Sequence, residues 1–408
     1  MLLYSFRRVI LSFGLISLIF ISLALWKTTW RPPLKSPRPL IYYNGSGFLT
    51  NLILSENCEL WIRDNVFVPV PALLIDKFVL SHLEQNNCEQ MNMEEPIKIA
   101  VDAEVYSAAR LANKFMEIVS FRNQTDKDYL EFGSDTEGKI ILPKKFKFQI
   151  IGNLMVPSQI PVFMEFWNRG RFVECRNLTM HRDSSKKSLF TPIMNSLFPP
   201  REPIPIMESV ETLAKLSDEM LNFGMFPFIN GGTFLGWYRE CSVIPHTTDM
   251  DIAILGENWN SEFSDFLWSH NSSFRVKRQL GLMDDSYELT LIPKTGFKTP
   301  IDVFLMYKDK GRGNNRWVGG LTTTGIKYKY IYPEYDPWCA ADLLGHLFWV
   351  TCTPEDKIKK EYGDYWYLDE NSSKYTWNKA RNAVDNGRFT WKQMQTETYN
   401  EYKWNDLS

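Results

Sequence analysis

The sequence predicts a mixed α/β (α+β) fold, and three observations in its second half carry that prediction. The first is a glycine pair, Gly231-Gly232, delivered by a short apolar run at Phe226–Asn230 and followed by a helix-like stretch from Thr233 to Glu240. The second is Asp249-Met250-Asp251, which opens the apolar run Ile252-Ala253-Ile254-Leu255. Alternation along a strand puts Asp249 and Asp251 on one face and Met250 and Ile252 on the other. The third is a strand pair: Tyr287–Ile292 and Pro300–Tyr307 alternate in polarity across Pro293–Thr299, with Gly296 in the turn. Asp302 opposes the facing of Ile301 and Val303, and a carboxylate in so apolar a strand needs a partner.

The remaining elements follow in chain order. Met1–Arg8 is a short basic tail, and Val9–Trp26 is an uncharged, mainly apolar run near the minimum length for spanning a bilayer. No small-x-small cleavage site closes it, which favours a transmembrane signal anchor over a cleaved signal peptide. Basic residues flank it on both sides, so charge alone leaves the orientation open. Residues 27–58, with the proline-rich Trp30–Pro39, read as a stem. Residues 59–198 read as a smaller α/β domain, with strand-like Ile97–Val101, Phe146–Ile151 and Pro161–Trp167 and a helix-like Ser107–Ser120. The prolines of Pro199–Pro205 mark a boundary, so residues 199–408 form the domain that bears the motifs. That domain opens with an amphipathic helix on Val210, Leu213, Ala214, Ser217, Met220 and Leu221, stopped at Gly224. Trp317–Tyr335 reads as a strand pair and Pro354–Tyr362 as a helix.

A formal net charge of -2, without a basic stripe interleaved with aromatics, argues against a nucleic-acid partner. Acceptor triplets for N-glycosylation stand at Asn44, Asn123, Asn177, Asn271 and Asn371. Six cysteines suit an oxidising compartment; Cys339 and Cys352 are spaced for one local bridge, and the rest of the connectivity is unreadable from sequence.

The chemistry concentrates between Gly231 and Asp302. Glycines lacking Cβ bring bare amides of Gly231 and Gly232 close to an anion, Thr233 is the expected helix cap, and the helix N-terminus favours phosphate. Asp249, Asp251 and Asp302 present hard oxygen ligands of the kind Mg2+ or Mn2+ takes when it bridges protein and substrate phosphates. Asp302 is also placed to orient or deprotonate an attacking hydroxyl. Arg239 reads either as a bidentate phosphate clamp or as a surface ion pair with Glu240 or Asp265. His246 reads as a carboxylate-orienting hydrogen bonder or a structural histidine. Lys357, Lys359 and Lys360 read as a solvated helix face or, for Lys357 and Lys360, as phosphate-neutralising cations. The aromatic tail with Trp366, Trp377, Trp391 and Trp404 reads as packing more than as a sugar platform.

Taken in order, the glycine pair, the Asp-x-Asp and the later lone aspartate resemble polymerase-β-type nucleotidyltransferases. The fuller pattern, Gly-Gly-Thr-Phe-Leu-Gly-Trp-Tyr-Arg, Ile-Pro-His and Asp-Met-Asp, resembles the LicD/fukutin family. The resemblance runs on through Pro354-Glu355-Asp356-Lys357 and Tyr362-Gly363-Asp364-Tyr365-Trp366, covering roughly residues 205–370. It implies a nucleotidyltransferase-like catalytic domain preceded by the smaller α/β domain and the N-terminal transmembrane helix. It further implies Mg2+- or Mn2+-dependent transfer of ribitol 5-phosphate from a CDP-ribitol donor to an O-mannosyl glycoprotein acceptor of the dystroglycan type, with CMP leaving. The implied setting is the Golgi membrane, single-pass type II with the catalytic part lumenal, in the company of other glycosylation enzymes. Thr247 and Thr248 stand where bacterial relatives often carry acidic residues, which leaves the number of metal ions open.

Two other classes fit parts of the pattern. A nucleotide-sugar glycosyltransferase also uses Asp-x-Asp, but there the apolar run precedes the motif, whereas Ile252–Leu255 follows it here. A non-catalytic scaffold for secretory-pathway glycosylation enzymes has no need of three intact aspartates.

Overall fold

The computed structural model describes residues 49–55, 58–63, 72–85, 97–102, 116–123, 127–133, 139–151, 154–178, 202–311, 315–333, 335–369 and 377–403. The expected tail, the anchor at Val9–Trp26 and most of the stem lie outside these residues. Among the described residues no helix is long and apolar enough to cross a membrane.

Two compact units divide the chain as Met1–Ile118 with Phe148–Ile160, and Val119–Lys147 with Pro161–Ser408. Residues Arg171–Phe172 pair in parallel with Cys339–Ala340 inside the second unit, a long-range pairing that no local punctuation reveals.

In the first unit, Leu49–Ser55 and Cys58–Arg63 form an antiparallel pair. Ala72–Leu74 pairs antiparallel with Ile97–Asp102 and parallel with Leu154–Pro157. The helix Lys77–Glu84 starts on Asp76, whose side chain accepts from the Val79 N–H, and buries Val79, Leu80 and Leu83.

Two expected elements change type. Met116–Asn123 is a strand where a helix was expected over Ser107–Ser120, residues 103–115 lying outside the described set. The β-branched and aromatic run Ile118-Val119-Ser120-Phe121 accounts for the difference. Ile160–Arg169, expected as a strand, is a helix. Phe163, Phe166 and Trp167 recur at i, i+3 and i+4 and are buried together, and Pro161 sits in the first turn, where no amide is needed.

The second unit holds the motifs. Its elements are α1 (Ile206–Leu221), β1 (Phe228–Ile229), α2 (Gly231–Glu240), β2 (Met250–Leu255), α3 (Ser261–Trp268), β3 (Phe274–Leu282), β4 (Asp285–Pro293) and β5 (Ile301–Lys308). They continue as β6 (Arg316–Leu321), β7 (Ile326–Tyr332), β8 (Cys339–Leu343), β9 (His346–Val350), α4 (Pro354–Tyr362), β10 (Ala383–Arg388), α5 (Trp391–Thr396) and β11 (Tyr399–Glu401). α1 buries Val210, Leu213, Leu216 and Met220 on one face and is stopped by Gly224 at φ 71°. Through the sheet, β8 pairs with β9, β9 with β1, β1 with β2, and β2 with β5 in parallel. β5 then forks. Its first half pairs with β4 (Thr290 opposite Asp302) and its second half with β6 (Met306 opposite Val318). β4 continues to β3 and β11, and β6 to β7 and β10. One apolar core joins α1, α2 and this sheet, with Trp237, Phe234, Ile229, Ile252 and Val303 almost wholly buried.

Two disulfides lie in this unit. Cys339–Cys352 is the local bridge the spacing allowed, and Cys175–Cys241 spans 66 residues. Asn177 and Asn271 are exposed.

Candidate active site

Parallel register brings the aspartates together. Asp251 on β2 stands beside Asp302 on β5, and Asp249 immediately precedes β2. Their apolar neighbours Met250, Ile252 and Val303 face the core, which turns the carboxylates to the other side of the sheet. Each carboxylate is held by a short-range partner. The Gly232 amide donates to Asp251 Oδ2 at 2.8 Å. The Thr290 hydroxyl donates to Asp302 Oδ1 at 2.6 Å, and the Thr247 hydroxyl to Asp249 Oδ1 at 3.3 Å.

These contacts do not neutralise the charge. Burial, then the charges of Asp249 and Asp302, pushes the pKa of Asp251 well above the carboxylate range. Burial, with a further push from Asp249, raises Asp302 to about 6, although the Thr290 hydroxyl opposes the shift. Glu288 on β4 is raised to about 8 by burial and by Asp302. Arg278 on β3 answers this charge: its Nη2 lies 2.9 Å from Glu288 Oε1 and 3.9 Å from Asp302 Oδ1.

α2 begins at Gly231, two residues earlier than its sequence suggested, because the glycines form its first turn. The cap position therefore falls to Asn230, not Thr233. Thr233 instead accepts a 2.7 Å hydrogen bond from the Asp251 amide, tying helix to strand. Asn230 Oδ1 accepts from Lys357 Nζ at 2.9 Å. Gly231 has φ +50°, and a Cβ there would lie 2.7 Å from Asp251 Oδ2. At Gly232 the corresponding distance is 3.4 Å and φ is ordinary. Gly231→Ala is thus expected to destabilise the protein by about 1–2 kcal/mol and to displace the Asp251 carboxylate, while Gly232→Ala is milder. Thermal unfolding of the two variants checks this; equal losses would contradict it.

Of the other residues singled out by sequence, Arg239 and His246 line the same cavity as the aspartates, and Lys357 and Lys360 do not. Arg239 lines the cavity but is buried, ion-paired to Glu240 and Asp369 and donating to the Trp366 and Leu368 carbonyls. It pairs with Glu240 as one reading expected, although not at the surface and not with Asp265. His246 lines the cavity with Nδ1 3.8 Å from Asp369 Oδ2. Lys357 is buried, not solvated: its ammonium lies over Phe234, 4.1 Å from the ring centroid, and burial lowers its pKa to about 8. Lys360, one turn further along α4, is exposed. Sequence reasoning missed Arg278, Glu288, Tyr330 and Tyr332, all of which line the cavity. Their signal was available: Glu288 and Arg278 are charges inside strands, where a buried charge needs a partner.

The cavity has a volume of about 650 Å3, within the range of small-molecule sites. The fork of β5 opens it. Asp249, Asp251 and Asp302 lie at one side, β6 and β7 provide another, and Tyr362, Tyr365, Trp366 and Leu368 with Trp377 and Arg381 close it. Among the described residues no three His, Cys, Asp or Glu side chains form a ready-made metal-holding group.

Together, a helix-opening glycine pair, two aspartates on paired strands and a third just before β2 gather around one cavity. Residues 224–350 match the family described as LicD/FKTN/FKRP, nucleotidyltransferase domain, and residues 57–174 match the W02B3.4-like N-terminal domain. The chain is 48% identical over 344 residues to the uncharacterized protein W02B3.4 of Caenorhabditis elegans, covering 83% of this chain and 84% of that one. It is 45% identical over 328 residues to T07A5.1 of the same organism, covering 79% and 82%. The chain belongs to the W02B3.4-like family and carries a LicD/FKTN/FKRP domain. Its similarity to the human ribitol-5-phosphate transferase FKTN is 28% identity over 217 residues, 53% of this chain and 44% of that one. That relationship runs through about half of each molecule.

Proposed function

We propose that this protein is a metal-dependent phospho-alcohol transferase with a polymerase-β-type catalytic fold. Ribitol 5-phosphate from CDP-ribitol is the group transferred, and an O-mannosyl glycan of a dystroglycan-type glycoprotein is the acceptor. The observation that carries the reading is the in-register pair Asp251 and Asp302, with Asp249, in a cavity of small-molecule size. The fukutin relative, a ribitol-5-phosphate transferase, supports the choice of group.

The donor set fits Mg2+ or Mn2+ chemically: burial and neighbouring carboxylate charge raise the proton affinity of Asp251 and Asp302, which a dication would relieve. Asp249, Asp251 and Asp302 would hold it, and it would neutralise charge developing on the donor pyrophosphate. The protein's own groups do the rest. The acceptor hydroxyl oxygen attacks the phosphorus that bears ribitol, the bond from that phosphorus to the CMP oxygen breaks, and Asp302 is placed to take the hydroxyl proton. Arg278 is paired with Glu288 but partly open to the cavity, so it, rather than the wholly buried Arg239, is the guanidinium a donor phosphate can reach. A lumenal Golgi setting, with Val9–Trp26 as a type II anchor, agrees with disulfides Cys175–Cys241 and Cys339–Cys352.

CMP release by the full chain tests the reading. CDP-ribitol, CDP-glycerol and CDP-choline are offered with Mg2+, Mn2+ or a chelator, with and without an O-mannosyl glycopeptide. Acceptor-dependent release from CDP-ribitol alone, lost with chelator and in Asp249→Asn, is the expected result. Release from another CDP-alcohol would change the named substrate, and none from any would overturn transfer in favour of a binding role.

A further inference from the structure

Two planar side chains at the mouth of the cavity rest on bare glycine backbone. A Cβ at Gly320 would lie 2.7 Å from Trp377 Cζ3, so the indole packs directly on the glycine. A Cβ at Gly363, which has φ +87°, would lie 2.5 Å from Arg381 Cζ, so the guanidinium does the same. The Trp377 carbonyl accepts from the Tyr330 hydroxyl at 2.7 Å, and the Arg381 amide donates to the Glu361 carbonyl at 3.3 Å. Both side chains are thus seated from below and anchored through their own backbone, yet both are open above. Trp377 is 43% exposed and the Arg381 side chain 61%. Tyr365 on the same rim is 68% exposed, and the Asp364 carboxylate lies 3.7 Å from Arg381 Nη1. Large aromatic side chains normally hide their faces. Holding one rigidly while leaving it open to a cavity is the arrangement of a ligand platform.

We infer that this rim binds a neutral pyranose ring of the glycan acceptor; the inference rests on the transfer reading and names the part of the site that the acceptor occupies. The C–H face of a pyranose packs on the negatively polarised face of an indole, and a guanidinium–carboxylate pair offers both donors and acceptors to ring hydroxyls. Position separates acceptor from donor. A small nucleotide donor is engulfed, with most of its surface buried, and belongs at the enclosed aspartate side. A sugar attached to a protein enters from the mouth and stays partly in solvent, where Trp377 and Arg381 stand.

The test is binding, not turnover. An O-mannosyl glycopeptide and the same peptide without sugar are titrated into the full chain, and CDP is titrated separately. Trp377→Ala is expected to weaken the glycopeptide about tenfold and leave CDP affinity unchanged. Gly320→Ala, which keeps the indole but pushes it off its seat, is expected to act in the same direction, and Trp391→Ala, at an exposed tryptophan outside the cavity, is expected to change nothing. A common Tm for the variants and the parent separates loss of the platform from loss of fold. Weakened CDP with unchanged glycopeptide would make the rim a nucleobase platform and overturn the inference, as would no change in either ligand. Absence of CMP release with intact, Trp377-dependent glycopeptide binding would overturn transfer while leaving this subsite standing.

Discussion

Asp251→Asn is expected to abolish transfer, by about 10³-fold or more, while leaving the protein as stable as the parent or more so. The two effects have one cause. Asp251, Asp249 and Asp302 lie half-buried around one cavity, and burial, with repulsion from neighbouring carboxylates, raises the pKa of Asp251 and Asp302. Asparagine keeps an oxygen for the Gly232 amide but removes one charge, which relieves the metal-free fold by on the order of 1–2 kcal/mol. The pH dependence has a definite sign. The folded pKa of Asp302, about 6, lies above its ordinary value of 3.8. Between those values the folded state binds more protons than the unfolded chain, so stability falls as pH rises through the window. Without metal, the parent should therefore gain stability between pH 7 and pH 5, and the advantage of the variant should shrink. On the proposed reading, Mn2+ raises the Tm of the parent at pH 7 and not that of the variant. Thermal unfolding at both pH values, beside the CMP assay, decides the matter. A variant that keeps a tenth of parental turnover, or that melts well below the parent, would sink this account of the site.

Removing the Cys175–Cys241 disulfide is expected to have the largest effect on stability. The bridge closes a loop of 66 residues, for which chain entropy gives about 4 kcal/mol. In a unit of this size that corresponds to roughly 10 °C in Tm. The bridge also has a local task. Cys241 is the left-handed cap of α2, and the Arg176 and Leu178 amides donate to the Tyr238 and Arg239 carbonyls at 2.8 and 2.7 Å. The segment thus satisfies carbonyls that the end of a helix leaves open. The helix so fixed begins at Gly231 and Gly232, against Asp251. Cys175→Ser with Cys241→Ser should therefore lower transfer as well as Tm. Cys339→Ser with Cys352→Ser opens a loop of only 13 residues and should cost less, about 3 kcal/mol. Calorimetry on both pairs under oxidising conditions tests the order, and the reverse order would refute the loop argument.

Local pattern alone determined a good deal of this protein. Periodicity gave α1, the β4–β5 hairpin across Gly296, the β6–β7 pair and α4 at its observed limits, because each is set by neighbours a few residues away. Alternation also turned Asp251 and Asp302 away from Met250, Ile252 and Val303. Other features were decided only by the tertiary structure. The strand at Arg171–Phe172 joins β8 from far off in sequence. Lys357 and Lys360 lie three apart on one helix, yet α4 buries the first beneath Asn230 and Phe234 and leaves the second in water. Trp366 is core while Trp377 lies open on Gly320, a difference that composition does not contain. Arg278 and Glu288 reach the cavity only because β5 forks, first half to β4 and second half to β6. Strand facing and helix phase are local and periodic, so the sequence carries them. Burial and the partners of a charge depend on which distant strand pairs with which, and only the folded chain sets those.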